Sequence, residues 1–116
     1  MKIIIPIRVN STLNQHQHPF ARSRTAKEHR QKACLHVANA IFGKSLPAKP
    51  WTIWITRYGR KEFDGDNLAG SLKSVRDGIA DALGLENDKE SPELCWRYGQ
   101  QKNSEYKVEV EIIGKP

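Results

Sequence analysis

The sequence predicts a small α+β domain, in which a mixed β-sheet packs against two main helices. Four short segments are rich in β-branched or alternating apolar residues, which is typical of strands. Two longer segments carry apolar residues at helical spacing. The chain has 116 residues, which suits one domain with one core. We therefore expect a single domain over residues 1–116.

The first half of the chain predicts a strand, a long loop and a helix. The β-branched run Lys2–Val9 is typical of a strand that is buried on both faces. Polar residues fill 10–20, and long loops in small domains tend to be functional or mobile. Ser23 can cap a helix over 24–42 that is basic in its first half and apolar in its second, and that ends at Gly43.

The second half predicts a strand, the chain's strongest helix pattern and a closing hairpin. Trp51 and Trp54 should point to opposite faces of their strand, one into the core and one outward. Gly84 follows the helix pattern and can end that helix. An acidic loop at 86–93 then leads to the hairpin. The predicted elements are the strand 51–58, the helix 68–83 and the hairpin strands 94–98 and 106–113.

The charge balance points to an anionic partner. The formal net charge is +6, and a small basic domain attracts nucleic acid or an anionic membrane. No apolar run has membrane length, and the apolar Met1–Ile7 is too short for a signal peptide. We expect a cytoplasmic protein with no membrane partner and no small-molecule cofactor. Cys34 and Cys95 form no metal-binding pattern, which predicts reduced cysteines.

Two basic groups are candidates for contact with nucleic-acid phosphates. One group follows the second strand and directly flanks an acidic segment. The other lies in the basic half of the first helix, where a solvated helix face is the alternative interpretation. The first group is Arg57, Arg60 and Lys61, and the second is Arg22, Arg24, Lys27, Arg30 and Lys32.

The acidic segment contains the candidate catalytic residues. Asp64 and Asp66 stand two apart before a helix, and in extended backbone such side chains project to the same side. Asp66 or Asn67 can also cap that helix. On a helical wheel, Lys73 and Asp77 fall within roughly 20° of Asp66, opposite the apolar stripe.

Carboxylates without nearby His or Cys suit a hard cation such as Mg²⁺ or Mn²⁺. Such an ion can activate water and neutralise charge on a phosphate, and a lysine can add to that stabilisation. Acidic residues in a basic protein would repel DNA unless a cation lies between them. His16 and His18 are better explained as loop residues than as ligands. An EF-hand is excluded, since its required positions hold Leu68, Ala69 and Val75.

The run Asp64-Gly65-Asp66-Asn67-Leu68, followed by Lys73, Asp77 and Asn87-Asp88, resembles the signature of RusA-type Holliday junction resolvases. The resemblance implies that Asp64, Asp66 and Asp88 bind the metal and that Lys73 assists catalysis. Asn67 and Asp77 would support the site. Ala69-Gly70-Ser71 delays the lysine relative to the family's pattern, so Lys73 could instead pair with Asp77 at i, i+4.

The resemblance implies a homodimeric, metal-dependent endonuclease that cuts four-way DNA junctions in the cytoplasm of a bacterium, in a phage or prophage setting. Two alternatives stay open at this point. A basic DNA-binding protein without catalysis would use the acidic residues only as a cap and a solvated helix face. A metal-dependent nuclease acting on other branched DNA would share the same site residues.

Overall fold

The computed structural model describes residues 1–10 and 19–115. Over these residues the chain forms a single α+β domain with a mixed four-stranded sheet and three helices, which confirms the predicted class. The elements are β1 (Lys2–Ile5), α1 (Pro19–Ile41), β2 (Trp51–Gly59), α2 (Gly65–Ser71), α3 (Lys73–Ala82), β3 (Leu94–Lys102) and β4 (Lys107–Ile113).

The sheet has the strand order β1-β4-β2-β3, with β2 at its centre. β2 pairs with β3 in parallel and with β4 in antiparallel orientation, and β4 also pairs with β1. The predicted hairpin of the last two strands is therefore wrong, because β2 lies between them. Their connection crosses the end of β2, where the Asn103 N–H donates to the Gly59 carbonyl at 2.9 Å.

Burial alternates along the strands because the core lies on one face of the sheet. Ile53 and Ile55 of β2 are fully buried, whereas Trp54 between them is 38% exposed, as predicted for opposite faces. The prediction that the first strand is buried on both faces is wrong, since Ile4 is 47% exposed. Ile4 shares the outward face of the sheet with Trp54 and Ile113, which are also exposed, so this face meets solvent at β1 as well.

Helix α1 packs closely against α3. A Cβ added at Gly78 would lie 2.3 Å from the Arg30 carbonyl oxygen and 2.8 Å from the Ala33 Cβ, so only glycine allows this approach. The helix begins at Pro19 rather than near Ser23, since proline is well accommodated in a first helical turn. Part of the predicted loop, residues 11–18, lies outside the described residues.

The predicted helix over 68–83 is two helices that meet at Leu72, whose φ of −96° and ψ of 2° depart from helical values. Gly70, a poor helix former, lies just before this break. The predicted apolar stripe is otherwise confirmed, because Leu68, Leu72, Val75 and Ile79 are all buried. Among the described residues, no helix combines the length and apolar character that a membrane crossing needs.

Candidate active site

The loop between β2 and α2 is held from inside by Arg57. Its Nε donates to the Val9 carbonyl at 3.0 Å and its Nη1 to the Lys61 carbonyl at 2.7 Å. The guanidinium lies over the Phe63 ring, 3.6 Å from its centroid. A Cβ at Gly59 would come within 2.6 Å of Arg57 Nη2, so glycine leaves room for this packing. Burial lowers the pKa of Arg57.

Arg57 is only 3% exposed, so it is not placed to contact DNA, contrary to the prediction. Its guanidinium is used by backbone carbonyls of the protein instead. The neighbouring Arg60 and Lys61 are exposed. These two residues therefore remain the cations of this group that a phosphate can reach.

Gln100 of β3 holds the same loop from the other side. The Phe63 N–H donates to Gln100 Oε1 at 2.8 Å, and Gln100 Nε2 donates to the Phe63 carbonyl at 2.7 Å. Sequence reasoning missed Gln100 because a polar residue near a strand end carries no signal of its tertiary partner. Both backbone groups of the residue before Asp64 are thus fixed by one side chain.

Asp64 and Asp66 are exposed at the start of α2. Asp64, not Asp66 or Asn67 as predicted, occupies the N-cap position with φ −62° and ψ 154°, and its side chain makes no capping hydrogen bond. Its carbonyl accepts from the Leu68 N–H at 2.8 Å. The prediction that Asp64 and Asp66 project to the same side assumed an extended backbone. The chain is helical from Gly65, so that prediction does not hold for Asp66.

Asn67, predicted to support the site, is buried in the first turns of α2. Its Oδ1 accepts a hydrogen bond from the Ser71 hydroxyl at 3.2 Å. This contact turns the amide toward its own helix. Asn67 therefore stabilises the helix that carries Asp66.

Lys73 lies at the centre of a charged cluster. Its Nζ donates to Asp77 Oδ1 at 2.8 Å, so the i, i+4 pairing considered from the sequence is confirmed. The same Nζ donates to Asp88 Oδ2, although Asp88 lies beyond α3 in the loop before β3. The fold thus brings together three of the predicted site residues.

Arg76 completes this cluster and was missed by sequence reasoning. Its Nη2 donates to the Asp88 carbonyl at 2.7 Å and its Nη1 to the Tyr98 hydroxyl at 2.8 Å. Its Nε lies 2.8 Å from Asp88 Oδ2, an ion pair without hydrogen-bond alignment. The Trp96 indole N–H also donates to the Asp88 carbonyl, at 2.8 Å. No motif signals this role, which depends on aromatic residues of β3 packing beside α3.

The electrostatics of the cluster favour the charged forms. The hydrogen bond from Lys73 lowers the pKa of Asp88 and outweighs the opposing effect of burial. Burial opposes the charge on Lys73, but its hydrogen bonds to Asp77 and Asp88 prevail and raise the pKa of Lys73. A cleft of about 230 Å³ adjoins the cluster, and its lining includes Arg30, Asp77, Asp81 and Asp88.

The predicted metal ligands match Mg²⁺ in donor type but not in arrangement. Carboxylate oxygens suit a hard cation. Among the residues that the structure describes, however, no three His, Cys, Asp or Glu side chains are grouped so that they could hold a metal ion. The Asp88 carboxylate is instead paired with Lys73 and Arg76. His16 and His18 lie outside the described residues.

The basic face of α1 is only partly available to a ligand. Arg24 and Lys27 are exposed, whereas the side chain of Arg22 lies outside the described part of the chain. Arg30 makes a two-bond ion pair with Asp81, at 2.7 and 2.9 Å. This pairing with Asp81 raises the pKa of Arg30 and lowers that of Asp81.

Lys32, the last residue of that basic group, donates to the Pro6 carbonyl at 3.4 Å. Lys32 therefore ties α1 to the segment that follows β1, and Arg30 ties α1 to α3. The sequence could not separate the cations that bind other parts of the protein from those that do not, because all of them lie on one basic helix half. Among the described residues of the two predicted groups, Arg24, Lys27, Arg60 and Lys61 are exposed and make no contact of this kind.

Compared with models of known protein families and with curated protein sequences, the chain matches none. The resemblance to RusA-type resolvases therefore rests on the motif residues from Asp64 to Asp88. The contacts among those residues are the structural observation from which a function can be argued.

Proposed function

We propose that this protein is a metal-dependent endonuclease of the RusA type that cuts four-way DNA junctions. The observation that carries the proposal is the contact of Lys73 with both Asp77 and Asp88. These residues are separated by up to 15 positions, yet the lysine and the last acids of the motif form one cluster beside an open cleft. A solvated helix face alone would not draw Asp88 to the helix.

Asp64, Asp66 and Asp88 would be the residues that hold Mg²⁺ or Mn²⁺. Such an ion supplies an activated water and neutralises charge on the scissile phosphate. The exposed ammonium of Lys73 would stabilise the negative charge that develops on that phosphate. Gln100 and Arg57 would keep Asp64 in place through their hold on the preceding loop.

Four exposed cations would contact the DNA backbone. Arg60 and Lys61 directly precede the acidic residues, so a phosphate bound there would lie next to Asp64. Arg24 and Lys27 extend the basic surface along α1. The formal net charge of +6 favours association with any DNA. Affinity for DNA therefore does not by itself indicate selectivity for branched DNA.

A homodimer would fit the proposed substrate. A four-way junction has two-fold symmetry, and its resolution needs two paired cuts, one from each subunit. The outward sheet face, with the exposed Ile4, Trp54 and Ile113, is available for subunit contact. The proposed setting is the bacterial cytoplasm, with a phage or prophage as the source of the gene.

The second candidate function is binding of branched DNA without cutting. It is favoured by one observation, the pairing of the Asp88 carboxylate with Lys73 and Arg76 rather than with the other predicted ligands. In that case the acidic residues are structural. The basic residues alone would then carry the function.

A substrate panel tests the proposal. A labelled synthetic four-way junction, a flap, a linear duplex and a single strand are incubated with the protein in Mg²⁺ or in EDTA. Symmetric paired cuts in the junction, lost in EDTA, support the proposal. Junction binding without cutting supports the second candidate. Equal cutting of all substrates keeps a nuclease and discards the resolvase.

A further inference from the structure

We infer that Arg8 binds a phosphate of the DNA backbone and continues the contact surface of Arg60 and Lys61 across one end of the sheet. Arg8 lies in the segment that follows β1, distant in sequence from both predicted basic groups. The inference rests on the proposed function in taking DNA as the ligand. It concerns binding alone, which can be measured without cutting.

The Arg8 side chain is exposed, yet the protein orients it. Its Cζ lies 4.2 Å from the centroid of the Tyr106 ring, and its Nε donates to Asn10 Oδ1 at 3.1 Å. These contacts use one face of the guanidinium and only one of its N–H donors. Both terminal Nη groups are left without a hydrogen bond to any other described residue. Such a fork of N–H groups matches two oxygens of one phosphate.

Arg8 also has no carboxylate partner within the described part of the chain. There, ion pairs with acids are made by three other arginines, which are Arg30, Arg76 and Arg97. The charged neighbour of Arg8 is instead the buried Arg57. Burial lowers the pKa of Arg57, and repulsion by the charge of Arg8 contributes to the same effect. Two neighbouring guanidiniums without an acid create a positive region that favours an anion.

Arg57 joins the Arg8 segment to the loop that carries Arg60 and Lys61. Its Nε donates to the Val9 carbonyl at 3.0 Å, and its Nη1 donates to the Lys61 carbonyl at 2.7 Å. One buried guanidinium therefore bonds both the residue after Arg8 and Lys61 itself. The exposed side chains of Arg8 and Lys61 consequently lie on neighbouring segments.

This arrangement fits a polymer of phosphates better than a single small anion. A DNA strand carries one charge about every 3.4 Å along its axis, so one strand can place successive phosphates against several cations. Lys61 precedes Asp64 by one turn of loop. A phosphate on Arg8 would thus belong to the strand that passes the acids proposed to cut it.

The test is binding of a labelled four-way junction in EDTA, followed by fluorescence anisotropy between about 50 and 200 mM salt. Arg8→Gln should weaken binding about tenfold, the size expected when one charge-assisted contact is lost. The slope of log K against log salt should also fall by about 1. Arg97→Gln is the matched control, because Arg97 is an exposed arginine that already has a carboxylate partner, Glu90.

Two further variants separate orientation from charge, with urea unfolding recorded to show that each one folds. Arg8→Lys keeps the charge but loses the planar fork, so it should keep the salt slope and recover only part of the affinity. Tyr106→Phe keeps the ring beneath Arg8 and should bind like wild type, since no hydrogen bond of the Tyr106 hydroxyl occurs among the described residues. Full wild-type affinity in Arg8→Lys would overturn the assignment of an oriented fork.

Equal losses in Arg8→Gln and Arg97→Gln would overturn the inference, since net charge would then explain both. A loss that appeared with only one of two unrelated junction sequences would overturn it as well, because a phosphate contact does not depend on base sequence. If wild type cut junctions in Mg²⁺ while Arg8→Gln bound like the control, the nuclease proposal would stand without the inference. A specific loss in Arg8→Gln with no cutting by wild type would support the inference and leave DNA binding without cutting as the function.

Discussion

The side-chain amide of Gln100 pairs with the backbone of Phe63 in both directions, accepting from its N–H at 2.8 Å and donating to its carbonyl at 2.7 Å. A glutamine amide has the same donor and acceptor pair as a peptide group. Gln100, which pairs with Arg57 in the β2–β3 ladder, therefore binds the loop after β2 through its side chain. The next residue is Asp64, at the N-cap of α2. The loop that presents the first acid of the motif is therefore fixed by the sheet.

Gln100→Ala should lower both the rate of cleavage and the stability of the fold. Loss of the two hydrogen bonds should cost about 1–3 kcal/mol in unfolding free energy. A shift of Asp64 by about 1 Å would reduce kcat by up to roughly 100-fold. Both are measured on the same preparation, by urea denaturation and by single-turnover cleavage. Gln101→Ala, at an exposed neighbouring position, is the control, and equal kcat in the two variants would contradict the role of Gln100.

Gly78→Ala should destabilise the fold by separating α1 from α3. The added Cβ would lie 2.3 Å from the Arg30 carbonyl oxygen, a clash that backbone must relieve. Overpacking of this kind costs about 1–3 kcal/mol. Gly65→Ala is the control because its Cβ would meet open space. Equal denaturation midpoints for both variants would show that the two helices are not in close contact.

The ion pair between Arg30 and Asp81 should contribute stability that depends on pH. The hydrogen bond from Arg30 lowers the pKa of Asp81 in the folded protein, so the folded state favours the carboxylate. The contribution is therefore present above the ordinary aspartate pKa of about 3.9 and is lost as the pH falls through the lowered pKa.

Asp81→Asn should accordingly lower the Tm at neutral pH by a small amount, since the pair is exposed. The difference from wild type should shrink below about pH 4, where the wild-type carboxyl also becomes neutral. Thermal unfolding from pH 2.5 to pH 7 in otherwise identical buffer measures it. A difference that stayed constant over this range would rule out the ion pair as its source.

Double substitution of Arg60 and Lys61 by Gln should weaken DNA binding and flatten its dependence on salt. Each lost phosphate contact should reduce the slope of log K against log salt by about 1. Fluorescence anisotropy on a labelled junction, recorded between about 50 and 200 mM salt, measures both the affinity and its salt slope. The control is Lys44→Gln/Lys49→Gln, at exposed positions before β2. The same loss in both variants would show attraction by net charge alone.

Local features of the fold could be predicted from the sequence because each depends on nearby residues. The alternation of Ile53 and Ile55 with Trp54 defined β2 and its two faces. Gly43 and Gly84 both adopt a φ of 70°, the left-handed conformation expected where a helix ends. The pairing of Lys73 with Asp77 also followed from helical spacing alone.

Features that depend on distant parts of the chain could not be predicted. The pattern of residues 94–113 identifies strands but not their neighbours, so the insertion of β2 between β3 and β4 was not foreseen. An arginine in a basic run gives no sign that it will be buried, as Arg57 is, against the Val9 carbonyl. The hold of Arg76 on Asp88 likewise requires the aromatic side chains of β3.

The central claim is that the exposed acids before α2 perform metal-dependent cleavage, and Asp66→Asn tests it most directly. The measurement is single-turnover cleavage of a labelled four-way junction in Mg²⁺, with Glu62→Gln as the control for loss of an exposed acid from the same segment. The account predicts symmetric cuts by wild type and Glu62→Gln, and a loss of at least about 100-fold in Asp66→Asn with junction binding retained. Equal cutting by Asp66→Asn and wild type would contradict it.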